Sequence, residues 1–306
     1  MRFVTFEHGG AARAGVLEAG RPGDDETVVD LGHAALRDIV GPDPSMLALI
    51  TAGLDRIEAR LAGAAVPAAA RLPRADVRLL APLPRPGRIV GVAHNYRDAI
   101  AERKIPAPET PVVFIKESAT VIGPDDAVVL PAGIGGVTYE GELAAVIGRR
   151  AVAVATDAAL SHVAGYCTCN DISASAVIRA DGHFRRGKNF PTFFPLGPVL
   201  VSASDIPDPQ RLRITLTMDD ATLQNGSTAD MLFSVAELIA ILSAEQPLEP
   251  GDIIATGTPA GVAPMRTPPT WLRPGAVLTT EVEGLGRLVN PITEKDLADH
   301  RERPRR

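Results

Sequence analysis

Hydrophobic and polar positions alternate in short runs along most of the chain, and a helical period is confined to a few segments. RIVGVA, PVVFIK, AVVL, ELAAVIG, PVLVS, RLRITLTM, DIIATGT and AVLTTEVEG are rich in β-branched residues and bounded by turn residues, so each predicts a strand. MRFVTF and ETVVDL predict two more near the start. Over residues 46 to 62, Met46, Leu49, Ile50, Leu54, Ile57 and Leu61 recur at helical spacing, with Asp55, Arg56 and Glu58 between them. Further helices are predicted at about 156–165 and 234–244. The second opens with Ser234 and Glu237, a Ser-x-x-Glu capping box ahead of an apolar run. Strands and helices do not alternate regularly, which excludes a doubly wound nucleotide-binding sheet. The glycines of PAGIGGV lack the G-x-G-x-x-G spacing, and no P-loop occurs.

The pattern divides the chain. Residues 1–75 predict a small α+β N-terminal domain, and 76–87 a proline-rich linker crossing the surface of its neighbour, since Pro82, Pro84 and Pro86 forbid regular structure. Residues 88–295 predict a mainly β domain with some α, and 296–306 a basic tail. With 306 residues, 45% of them hydrophobic, the chain can bury a large core. A net charge of −6 argues against nucleic acid or an anionic membrane as main partner. No apolar run approaches about 20 residues, and MRFVTFEHGG lacks a signal-peptide pattern. A cytoplasmic protein is therefore expected. Cys167 and Cys169 form a lone Cys-x-Cys, which reads as small buried packing residues rather than a zinc site.

Candidate chemistry begins at TYEGELAAVIG. On a strand, Glu140 and Glu142 share one face with Ala144 and Val146, and two adjacent carboxylates need a neutralising partner. Asp171 follows 29 residues after Glu142, far enough for the chain to turn and return alongside. Two glutamates and an aspartate would make an oxygen-only site for a hard divalent cation such as Mg²⁺ or Mn²⁺. A solvated strand face carrying two glutamates is the alternative from spacing alone.

GVAHNYRDAIAE, PVVFIKES, YEGELAAVIG, NDIS, KNFPTFFPLGP and ATGTPAGV, in that order, resemble the fumarylacetoacetate hydrolase superfamily over residues 86 to 293. The resemblance implies a mixed β-sandwich roll preceded by a small N-terminal domain, a homodimer, and a Mg²⁺ or Mn²⁺ ion on Glu140, Glu142 and Asp171. It further implies a small-molecule substrate, a 2-oxo acid or 1,3-dicarbonyl compound, reacting through a metal-stabilised enolate. Lys188 matches the active-site lysine, Thr258 a substrate-binding threonine and Lys116 a recurrent lysine of less defined role.

Two departures stand out. Hydrolytic relatives carry a lid histidine and, three residues on, a glutamate that together activate water; here the positions hold Ala99 and Glu102. After the metal aspartate, Ser175, Ala176 and Ile178 replace the usual Arg, Asp and Gln. Arg179, Arg185 and Arg186 are the nearby candidate cations to compensate. The expectation is an enolising isomerase or lyase, by tautomerisation or decarboxylation. Alternatives are a C–C bond hydrolase of acylpyruvate or diketo-acid type, a secondary-metabolite enzyme acting on a bulkier 1,3-dicarbonyl, and a catalytically inactive ligand-binding homologue. His94 reads as a turn or core residue.

Overall fold

The computed structural model describes residues 1–19 and 26–295; the predicted basic tail lies outside the described residues. The chain opens with β1 (Arg2–His8), β2 (Ala11–Glu18), β3 (Thr27–Asp30), α1 (Arg37–Val40), α2 (Met46–Ala52), α3 (Leu54–Ala62), β4 (Arg71–Pro73) and β5 (Arg78–Leu80). Next come β6 (Ile89–Ala93), α4 (Arg97–Arg103), β7 (Val112–Lys116), β8 (Val121–Ile122), β9 (Val128–Pro131) and β10 (Val137–Thr138). β11 (Gly141–Ile147), α5 (Thr156–Ala159), β12 (Val163–Asn170), β13 (Ser173–Ala174), α6 (Ser175–Asp181) and β14 (Phe194–Ser202) form the middle. The remainder is β15 (Arg213–Met218), β16 (Ala221–Ser227), α7 (Val235–Glu245), β17 (Ile253–Ala255), β18 (Val277–Val282) and β19 (Gly286–Lys295).

Among the described residues a large mixed sheet runs β4-β3-β2-β1-β14-β12-β11-β17-β6-β7, and a second sheet runs β16-β15-β18-β19-β9. The protein is thus mainly β with some α. β11 is buried along its whole length, which explains its nearly continuous apolar run. Leu143, Ala145 and Ile147 pack with Leu238, Ile239 and Leu242 of α7, while Ala144 and Val146 pack with Cys167, Leu49 and Ile50 on the other face. The capping box of α7 forms as expected: the Glu237 N–H donates to Ser234 Oγ (3.2 Å), and the Ser234 N–H donates to Glu237 Oε2 (2.8 Å).

Four local expectations change. The periodic stretch 46–62 is two helices, because Gly53 takes a φ of +95° that closes α2 before α3 begins. The helix expected at 156–165 stops early, since from Val163 the chain is a buried strand hydrogen-bonded to β11 and β14. The proline-rich segment does not simply cross the surface. Ala81, Pro82 and Leu83 are buried, and Thr5 Oγ1 donates to the Pro82 carbonyl (2.6 Å). Finally, the N-terminal segment shares the large sheet through β1 and β14, with Arg2 opposite Val201 and Phe3 opposite Leu200. Leu49, Ile50, Leu54 and Ile57 complete the core on that side, each burial contributing roughly 1.5–3 kcal/mol.

Candidate active site

The site forms where the link after β10 enters β11. Glu140 lies in that link and Glu142 is the second residue of the strand. Gly141 between them is held at both backbone groups: its N–H donates to Gln224 Oε1 (2.9 Å) and its carbonyl accepts from Thr258 Oγ1 (2.9 Å). The Glu140 N–H donates to Asn170 Oδ1 (3.0 Å), and its carbonyl accepts from the Asp171 N–H (2.9 Å). These bonds bring the end of β12 beside the start of β11. Carboxylate oxygens of Glu140, Glu142 and Asp171 consequently lie within 4.8 Å of one another.

Two lysines meet Asp171. Lys188 Nζ donates to Asp171 Oδ2 and to Glu140 Oε2 (2.6 Å). Lys116 Nζ forms an ion pair with Asp171 Oδ1 at 2.7 Å. Lys116 also donates to the Lys188 carbonyl (2.5 Å). Glu142 has no lysine; its Oε2 accepts from the Gly257 N–H (2.8 Å). Gly257 is required there: its φ is +93°, and a Cβ would meet Asn95 Cβ and the Val92 carbonyl oxygen, both at 2.9 Å.

The electrostatics follow from this crowding. Burial pushes Glu142 well above the usual carboxylate range, and Asp171 and Glu140 push it further. Burial opposes charge on Asp171 too, but Lys116 and Lys188 outweigh it and hold that group low. Burial likewise opposes the Lys188 ammonium, yet Asp171, Glu140 and Glu142 raise it above its ordinary value. For Lys116 burial dominates over Asp171, and its value falls. Three clustered carboxylates, one of them forced toward protonation, fit a hard divalent cation. Among the described residues no histidine or thiolate joins this cluster.

A cavity of about 280 Å³ opens onto the cluster. Glu140, Lys188 and Thr258 line it, while Glu142 and Asp171 are buried. Lys116 is fully buried and is not part of the cavity wall. Glu102 is not part of the wall either: its Oε2 accepts from the Gly261 N–H (3.0 Å). Ala99, at the absent histidine's position, does line the cavity.

The wall also carries groups not selected from the sequence as site residues. His94 is one, and Arg103, whose Nη2 lies 3.9 Å from Glu140 Oε1, is another. Arg103 lies four residues after Ala99 on α4, a helical spacing that gave a signal for it. Arg179 lines the cavity with Ser175 and Ile178. In extended chain its one-residue offset from position 178 would turn it away, but α6 is helical, so positions i, i+3 and i+4 share a face. Arg185 and Arg186 lie by a separate hollow, Arg186 paired with Asp181.

The model for the fumarylacetoacetate (FAA) hydrolase C-terminal family matches residues 88–293. The chain is 39% identical over 255 residues to the mitochondrial oxaloacetate tautomerase of Homo sapiens, covering 82% of this chain and 81% of that protein. Fumarylacetoacetate hydrolase from Exiguobacterium antarcticum superposes with a TM-score of 0.82 at 34% identity, over 96% of this chain and 100% of that one. Maleylpyruvate hydrolase from Sphingobium sp. SYK-6, solved with manganese(II) and pyruvate, superposes with a TM-score of 0.76 at 29% identity, over 97% and 100%. With the family model covering most of its length, the chain belongs to the fumarylacetoacetate hydrolase superfamily of enzymes.

Proposed function

We propose that the chain is a divalent-metal-dependent enzyme that enolises a 2-oxo acid and releases it by tautomerisation or decarboxylation rather than by C–C hydrolysis. The lid carries this reading. Ala99 cannot move a proton, and Glu102 is bonded to the Gly261 N–H outside the cavity wall, so the water-activating pair of hydrolytic relatives is absent. Similarity to an oxaloacetate tautomerase supports the same class.

In this reading Glu140, Glu142 and Asp171 hold Mg²⁺ or Mn²⁺, the latter being the ion present in the maleylpyruvate hydrolase structure. When bound, the cation supplies Lewis acidity at the ketone oxygen, lowering the energy of the enolate. Lys188 adds fixed positive charge at the cavity floor. Lys116 is a positioning residue: it holds the Lys188 backbone and lies against Asp171. Thr258 positions Gly141, and with it both glutamates, through its hydroxyl. Arg103 and Arg179 offer guanidinium groups to the substrate carboxylate in place of the arginine missing at Ser175.

A second copy of the chain is the proposed macromolecular partner. Val112, Val113 and Ile115 are exposed on β7, the terminal strand of the large sheet, and sedimentation of an Ile115→Glu variant as monomer against a wild-type dimer would test this. Among the described residues no helix is long and apolar enough to cross a membrane.

The function is tested by proton–deuterium exchange, followed by NMR on a panel of 2-oxo acids and 1,3-diketones with Mg²⁺, Mn²⁺ or EDTA. Metal-dependent exchange without cleavage products is expected. Cleavage products would refute the non-hydrolytic assignment, and silence throughout would favour a bulkier dicarbonyl substrate or a ligand-binding role.

A further inference from the structure

Enolisation needs a base within the cavity, and resting on the function proposed above, we infer that His94 is that base. The argument begins with elimination. The titratable side chains on the wall are His94, which follows β6, Arg103 from α4, Glu140 ahead of β11, Arg179 from α6, and Lys188. The segment 258–265 contributes Thr258, Val262, Pro264 and Met265, none of which titrates near neutrality. The guanidinium groups of Arg103 and Arg179 do not give up a proton at neutral pH. Glu140 is committed to Lys188, and Lys188 to Glu140 and Asp171. Only His94 can accept a proton without dismantling the acid cluster.

Its surroundings fit the role. Among the described residues neither ring nitrogen of His94 has a hydrogen-bond partner, and the residue lines the cavity. His94 adopts φ +58°, a left-handed conformation uncommon outside glycine. The next residue holds the backbone there: buried Asn95 donates to the carbonyls of Phe233 (3.0 Å) and Thr256 (2.8 Å) and accepts from the Phe233 N–H (2.8 Å). Such a conformation persists where its surroundings over-determine it, and sites of chemistry are one such setting. Burial, then the positive charges of Arg103 and Lys188, lower the imidazole below its ordinary value, so the free base prevails at neutral pH.

The step balances without any external oxidant or reductant. Imidazole takes a proton from the carbon next to the ketone. The C–H electron pair becomes the C=C bond, and the carbonyl π pair moves to oxygen. Return of the proton to that oxygen yields the enol and regenerates neutral imidazole.

The test uses His94→Asn, which tolerates the left-handed backbone, and His94→Gly, which fits it without strain and leaves room for added imidazole. Enol-to-keto conversion of oxaloacetate is followed by ultraviolet absorbance with Mn²⁺, and Mn²⁺ affinity by calorimetry. Both variants should lose about a hundredfold or more in kcat while Mn²⁺ affinity stays within threefold. The acidic limb of the wild-type pH profile should disappear, and imidazole should restore rate to the glycine variant. Rates within threefold of wild type would overturn the inference, as would loss that imidazole fails to rescue despite unchanged Mn²⁺ binding. Should wild type turn over no substrate, the proposed function fails separately. The NMR signal of His94 with Mg²⁺ and oxalate then decides: a shift keeps His94 at the ligand site, and none removes it.

Discussion

Glu142→Gln measures how far the acid cluster is assembled against its own repulsion. In the metal-free chain Glu142 has one N–H donor and no lysine, while oxygens of two other carboxylates lie within 4.8 Å. Coulomb's law at that separation, with an effective dielectric of about 20, gives roughly 3 kcal/mol for each unit-charge pair. Lys188 offsets part of this, and protonation of Glu142 relieves more, leaving about 1–3 kcal/mol of destabilisation at pH 8. Burial first, then Asp171 and Glu140, raise the folded value above the unfolded one of about 4.3. The cost is therefore absent below that unfolded value, grows as pH rises, and is complete above the folded value. Glutamine carries no charge at any pH, and its carbonyl can keep the Gly257 N–H. Denaturant unfolding in EDTA should find the variant more stable than wild type by about 1–3 kcal/mol at pH 8, with the gap closing toward pH 4. Saturating Mn²⁺ should reverse the order, because wild type gains about 2.7 kcal/mol at a hundredfold excess over Kd and the variant far less. A variant no more stable than wild type in EDTA at pH 8 would refute the electrostatic account. Absence of Mn²⁺ stabilisation in wild type would refute the metal site.

Gly257→Ala should destabilise the protein by about 2–4 kcal/mol, combining a left-handed backbone with overpacking against Asn95 and Val92. It should also weaken Mn²⁺ binding through Glu142, and denaturation with calorimetry checks both. Arg179→Ala should raise KM for 2-oxo acids about tenfold while lowering kcat less, as its proposed contact with the substrate carboxylate requires; steady-state kinetics distinguish this from a catalytic loss. Burial pushes both Cys167 and Cys169 thiols up and encloses them, so a thiol reagent should label neither in the native protein and both in guanidinium. Rapid native labelling would contradict their packing.

Much of the strand pattern was legible because alternation survives wherever one sheet face differs from the other. ELAAVIG is the instructive case: its two faces are both buried, yet alternate residues enter different cores, so the predicted division of faces holds even though neither is polar beyond Glu142. Helix limits were less legible. Periodicity continues across Gly53 because the side chains on both sides serve one core, and a positive φ leaves no trace in the hydrophobic pattern. The proline-rich segment reads as a surface crossing, yet Ala81, Pro82 and Leu83 are buried, because proline excludes ladder bonds but not burial. A single accepted bond, from Thr5 to the Pro82 carbonyl, gives its backbone a partner inside.

The acid cluster was legible as residue types and unreadable as a circuit. Spacing brings Glu140, Glu142 and Asp171 to mind together, but their unequal charge states depend on which carboxylate receives a lysine. Lys116 and Lys188 come from distant segments, and both meet Asp171 while Glu142 gets a backbone N–H. That asymmetry has a chemical consequence. The lysines hold Asp171 low, whereas burial and its acidic neighbours raise Glu142, so under the proposed metal-binding role affinity should rise with pH through Glu142 rather than through all three acids together. The lid follows the same logic in reverse. Glu102 kept its position in the sequence but is bonded to Gly261, while Ala99, Arg103 and His94 line the cavity. A retained residue marks retained chemistry only when its functional atoms still face the site. Glu140, Glu142 and Asp171 meet that condition for the proposed cation and the lid glutamate does not, which is why the proposed function separates enolisation from water attack.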